Sequence, residues 1–210
     1  MVNRIVFILI LTGMISCKDK TTVIPESKTA KEINNEKHNP NAPGSYEVIS
    51  LEPDYLVVDE LDENILARLI IELVNVERKD KKLGSLQDNS ILKQAAMVQN
   101  AYITSLGKLT HNGNTKDTYD LRSRVDAQGG NFSLVAENIA MKSFILNDVG
   151  GKTVIRGYSY NDVATHFFEM WKNSPGHYKN MMIEDLQHIG VSVKWKDTQR
   201  AIYATQVFGG

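Results

Sequence analysis

Trp171-Lys172-Asn173-Ser174-Pro175-Gly176-His177 is the stretch from which the rest of the chain can be ordered. Just upstream, Val163, Ala164, Phe167, Phe168 and Trp171 recur at three- and four-residue steps, the spacing of one apolar helix face. Asn173-Ser174-Pro175-Gly176 ends that helix. A serine followed by proline then suits the start of a second, short helix, with Ser174 as N-cap and Pro175 at the first helical position. His177 falls in the first turn of that helix, among unpaired backbone N–H groups, where the positive end of the helix dipole disfavours an imidazolium. Two readings stay open for it. It is a neutral imidazole available as ligand or base, or it only completes a capping arrangement with Ser174.

Downstream, Ile189, Val191, Val193 and Trp195 alternate with Gly190, Ser192 and Lys194, as in a half-buried strand. Lys196 to Gln199 makes a turn, and Arg200 to Phe208 returns as a second strand. Upstream, Leu61, Ile65, Leu66, Leu69, Ile70, Leu73 and Val74 mark a helix that Asp59 or Asp62 can cap and Gly84 ends. Asp88-Asn89-Ser90 opens another, which buries Ile91, Leu92, Ala95, Ala96, Tyr102, Ile103 and Leu106 before Gly107. The polar loop Lys108 to Lys116 carries His111. A shorter helix is expected from Asp117 to Gln128, then a strand from Ala136 to Met141. Residues 142–159 read as a hairpin or an inserted loop. Helices flanking a small antiparallel sheet make an α+β pattern.

Glu137 is out of place in its surroundings. It lies in Val135-Ala136-Glu137-Asn138-Ile139-Ala140, apolar on both sides. A carboxylate there either faces solvent from an edge strand or finds partners, because an unpaired buried charge is costly. A histidine is a suitable partner, since a carboxylate orients the ring and raises its basicity as a ligand.

Composition narrows the function classes. Hydrophobic residues at 42% and charged residues at 23% are ordinary for a globular domain. A net charge of −1 leaves no basic excess for phosphates, so nucleic acid is not an expected partner. There is no nucleophile elbow, HExxH, phosphate loop or dinucleotide fingerprint. Of the five histidines, His38, His166 and His188 read as solvated.

The single cysteine, Cys17, follows an export-like segment: Asn3-Arg4, the apolar run Ile5 to Leu11, then Thr12, Gly13 and Ser16. That run is too short for the ~18–20 residues of a bilayer span and reads as a signal sequence. The arrangement resembles a lipobox, with Met14 where leucine is usual. Residues 1–16 are therefore expected to be a signal peptide and Cys17 the site of lipidation. Each buried methylene of an acyl chain adds ~0.8 kcal/mol, so several chains anchor stably where one does not. Residues 17–59 read as a flexible tether, polar from Lys18 to Asn41. Ala42 to Asp59 is a transitional stretch that could lie as an extended arm on the domain. The folded domain is expected over 60–210. Lys18 after the cysteine, rather than aspartate, favours the outer membrane over the inner if the cell has both.

Seven short motifs occur in order: Asn75-Val-Glu-Arg78, Leu86, Leu109-Thr-His111-Asn, Ala136-Glu137-Asn138-Ile139-Ala140, Trp171 through Asn180, Ile189-Gly190-Val191 and Thr205-Gln206-Val207-Phe208. Together they resemble the CAP superfamily of cysteine-rich secretory, antigen 5 and pathogenesis-related 1 proteins, in its bacterial single-domain branch. The resemblance implies a three-layer α-β-α sandwich with a small, mainly antiparallel central sheet. It also implies a cavity formed by His111, Glu137 and His177. The family's second glutamate falls where Ser174 stands, and Glu169, five residues earlier on a helix, is rotated from it by roughly 140°. In relatives the histidine pair can hold a divalent metal such as Zn2+, which makes His111 and His177 the expected metal ligands. The resemblance favours a non-catalytic, envelope-anchored binding module for a lipid, a peptide or an envelope component. The alternative is a metal-dependent hydrolase, peptidase-like, with Glu137 as catalytic base. A third reading has the polar cluster only pinning the fold.

Overall fold

A computed structural model of the protein describes residues 55–210. The signal, lipidation and tether expectations on residues 1–54, with Cys17 and His38, lie outside the described residues. In chain order the elements are β1 (Tyr55–Val57), α1 (Glu63–Asp80), β2 (Gln87–Asp88), α2 (Ser90–Leu106), α3 (Leu121–Ala127) and β3 (Val135–Ser143). They continue with β4 (Leu146–Val149), β5 (Lys152–Arg156), α4 (Tyr160–Lys172), α5 (Pro175–Met181), β6 (His188–Lys196) and β7 (Ala201–Gly209).

The central sheet runs β2-β6-β7-β3, antiparallel except for the short parallel pair β2–β6. Strand alternation sends neighbouring residues to opposite faces. From β7, Ile202, Ala204 and Phe208 join α1, α4 and α5 in the main core, whereas Tyr203 and Val207 meet α2 and α3 on the other face. The result is the expected α+β sandwich of three layers, with β3 at one edge of the sheet and β2 at the other.

Local chemistry sets the helix limits. Asp62, not Asp59, caps α1, its side chain accepting from the Asn64 and Ile65 N–H groups. Asn89 caps α2 in the same way, and Gly107, at φ 69°, closes it in the left-handed conformation that glycine tolerates. The third helix is shorter than expected. Asp120 accepts from the Ser123 N–H and starts α3 at Leu121, so residues 117–120 remain outside it.

Of the two readings of residues 142–159 the hairpin holds, as β4 and β5, and β1 pairs with β5 to make a separate three-stranded sheet, β1-β5-β4. The tether therefore does not extend to residue 59. Leu56 and Val58 are buried in the main core with Ile155, so the fold already includes Tyr55, and the end of the expected arm is a paired strand.

Candidate functional site

The site is built at the β3 edge, where both helical layers reach the rim of the sheet. The left-handed Gly107 turns the chain out of α2 into the loop that carries His111. Buried Gln99 donates from Nε2 to the Thr110 carbonyl, and the Asn112 N–H donates to Thr110 Oγ1 at 3.1 Å. From α3, Arg124 Nη1 donates to the carbonyls of His111 (3.0 Å) and Thr118 (3.1 Å). A fully buried guanidinium thus staples both ends of the loop. Its charge is met by Glu137 on β3, with Arg124 Nη2 2.6 Å from Oε2.

The other oxygen of Glu137, Oε1, lies 2.7 Å from His111 Nδ1. An ionised carboxylate only accepts, so this contact places a hydrogen on Nδ1 and, in the neutral ring, leaves Nε2 as the acceptor. The Glu137 side chain is 3% exposed and that of His111 56% exposed. The carboxylate is inside and the imidazole it orients faces out.

Asn138, the next residue of β3, points to the opposite face. Its Nδ2 donates to the His177 carbonyl (3.0 Å) and to Gln206 Oε1 (3.1 Å). Its Oδ1 accepts from Asn180 Nδ2, which also donates to the Glu137 carbonyl. Asn180 lies three residues after His177, on the same side of α5. These amides fasten α5 to the edge strand and bring His177 toward it. Burial first, and then the charge that His111 would carry if protonated, hold the His177 imidazole below the ordinary histidine value. That lowering favours the neutral imidazole, with a ring nitrogen available.

Of the expected site residues, His111 and Glu137 are in direct contact, and the backbone of His177 is docked on the next strand residue, Asn138. Glu137 is on an edge strand but is buried and paired, not solvated. Ser174 takes the N-cap position, with the Tyr178 N–H donating to its carbonyl at 2.8 Å, but its side chain makes no capping hydrogen bond. The capping partnership of Ser174 with His177 therefore has no bond behind it. Glu169 is occupied elsewhere, accepting from Asn173 Nδ2. Two further histidines differ from expectation: His166 and His188 are both half-buried, and His188 Nδ1 is buried without a partner among the described residues.

Sequence reasoning passed over Arg124 and gave Asn138, Asn180 and Gln206 no separate role. A signal for Arg124 was present. It stands three residues after Leu121 and beside Val125, on the apolar side of its helix, where an arginine has to find acceptors.

A divalent cation at this edge would have two nitrogen ligands to use, which would make a loose, open site and not a closed one. Those ligands would be His177 and the Nε2 of a neutral His111, while Glu137 is used in orienting His111. Among the described residues no group of three or more His, Cys, Asp or Glu side chains could hold a metal ion. Among the same residues no helix is long and apolar enough to cross a membrane.

Residues 71–208 match the CAP family, described as the cysteine-rich secretory protein family. A solved extracellular protein of Bacillus anthracis that contains an SCP domain is 24% identical, with a TM-score of 0.54. The match covers 70% of this chain and 41% of that one, so this chain spans well under half of that relative. An outer surface protein of Borrelia burgdorferi is 18% identical, also with a TM-score of 0.54, over 71% of this chain and 95% of the other. Both are likenesses of fold. No curated protein matches the sequence.

Proposed function

This chain belongs to the CAP family, and from that we propose that it is a binding module displayed at the bacterial cell envelope, whose His111–Glu137–His177 site holds a divalent cation or a small ligand without transforming it. The observation that carries this reading is the engagement of Glu137. Oε1 is held by His111 Nδ1 and Oε2 by Arg124. A general base needs an oxygen free to take a proton from bound water. Both Glu137 oxygens already accept a hydrogen bond and the side chain is only 3% exposed, so little of it is open to a bound water, and neutralising it would leave the buried Arg124 charge unpaired. This favours binding over metal-dependent hydrolysis.

Zn2+ or a similar cation would sit on His111 Nε2 and His177, leaving open positions for a donor from a lipid, a peptide or an envelope component. Leu109 and Tyr119, on the loop that carries His111, expose apolar surface of the kind a lipid chain would cover. Export and anchoring through an acylated Cys17 complete the reading, with the outer membrane the favoured destination.

Zinc titration by calorimetry tests the site. The purified protein should give saturable heat, and a His111→Ala/His177→Ala variant should give none. Equal heats from both would remove the cation from the proposal. Anchoring has a separate test. Cys17→Ser should move the protein from the membrane fraction to the soluble one, and unchanged partitioning would exclude lipidation at that residue.

A further inference from the structure

At the sheet edge opposite the histidine site, β6 is only partly covered. β2 pairs with it at His188 and Ile189 and stops. The Ile189 carbonyl accepts from the Asn89 N–H, and the Trp195 N–H donates to Glu63 Oε1 at 2.8 Å. These contacts show that the odd-numbered residues of β6 turn their backbone groups away from β7. By the alternation of an antiparallel ladder, Val191 and Val193 do the same. Their N–H and C=O groups have no partner strand among the described residues.

That edge is the floor of a cleft of about 260 Å³ between α1 and α2. Val191 is 1% and Val193 5% exposed, so the unpaired groups lie deep, where a missing hydrogen bond costs most. Asn64 and Ala67 form one wall, and Met97 and Ala101 the other. The rim is net positive. Lys93 Nζ donates to the neutral amide of Asn64 at 3.1 Å, and Lys194 has no carboxylate partner among the described residues. Glu63 is engaged with the Trp195 backbone.

We propose that this cleft binds an extended peptide segment with an acidic side chain, which pairs its backbone with Val191 and Val193 as an added strand where β2 ends. The floor specifies the chemistry: alternating donors and acceptors across about 6.6 Å, the reach of three extended residues. The two ammonium groups at the rim select the acidic side chain. The site is at the far edge of the sheet from His111 and does not depend on the reading proposed for that residue.

The probe is the blocked pentapeptide acetyl-Thr-Val-Glu-Val-Thr-amide, added at millimolar concentration to the full chain. Amide hydrogen exchange at Val191 and Val193 should slow at least tenfold. Methylating the peptide nitrogens at alternate residues should weaken binding at least tenfold in one of the two registers and leave the other unaffected. Ala101→Trp, which fills the cleft from an exposed helix position, should weaken binding similarly and leave the zinc heat unchanged. No added protection, or equal binding by both methylated peptides, overturns the proposal. So does finding Val191 and Val193 already as protected as Val207 in the free protein, since another segment of the chain would then occupy the edge.

Discussion

Arg124 and Glu137 are a buried ion pair on which a surface histidine depends. The guanidinium has three acceptors, the carbonyls of His111 and Thr118 and the Glu137 carboxylate, and no exposed surface. Replacing it with methionine keeps the bulk but leaves a carboxylate buried without a counter-charge and releases the loop. Arg124→Met should cost about 3–5 kcal/mol in urea unfolding. Arg124→Lys should recover only part of that, because a point ammonium cannot span the three acceptors. A loss under about 1 kcal/mol for the methionine variant would mean that water reaches the pair. At this scale the sequence was half legible. A carboxylate between apolar neighbours shows itself as needing a partner, and histidine was foreseen. The arginine was not, because its burial depends on how α3 lies against β3.

Between elements, α2 lies very close to β6. A Cβ added to Gly190 would stand 2.1 Å from the Lys93 nitrogen and 2.3 Å from the Leu92 carbonyl carbon, so the first turn of the helix rests on bare strand backbone. Gly190→Ala must push α2 away from the sheet and should lower stability by about 1–3 kcal/mol in thermal unfolding. An unchanged midpoint would contradict so close a packing. Most helices and the long strands were legible because their signals are local, in apolar spacing, the Asp88-Asn89-Ser90 start and Gly107 as stop. β2 was not. Two residues, Gln87 and Asp88, are too few to show a period, and their pairing with His188 and Ile189 joins parts of the chain far apart in sequence.

Across the whole molecule, Glu77 ties three helices together. From α1 it accepts from Lys172 of α4 at 2.8 Å and from the Tyr178 hydroxyl of α5 at 2.8 Å. The Lys172 hydrogen bond, opposed by burial and aided by Tyr178, holds the Glu77 carboxyl below the usual carboxylate range. A carboxyl depressed in the folded state contributes stability that is present above its unfolded value, near 4.5, and lost as pH falls through the lower folded value. Glu77→Gln should therefore cost about 1–2 kcal/mol at neutral pH, a figure already reduced for the partial exposure of Lys172. The difference from the parent protein should shrink as pH falls below 4.5, as followed by melting temperature across a pH series. A difference constant with pH would assign the loss to packing instead of charge.

The order of motifs, the helix faces, the caps and the alternation of the last two strands can be read from the residues because each depends on neighbours a few positions away. From these the α+β class and the family follow. Tertiary structure alone decided that Tyr55–Val57 belongs to a sheet, that Arg124 closes on Glu137, and that His111 and His177 approach one strand from opposite helical layers. Those contacts join segments distant along the chain, and their geometry is set by how the layers stack on the sheet, which no local spacing encodes.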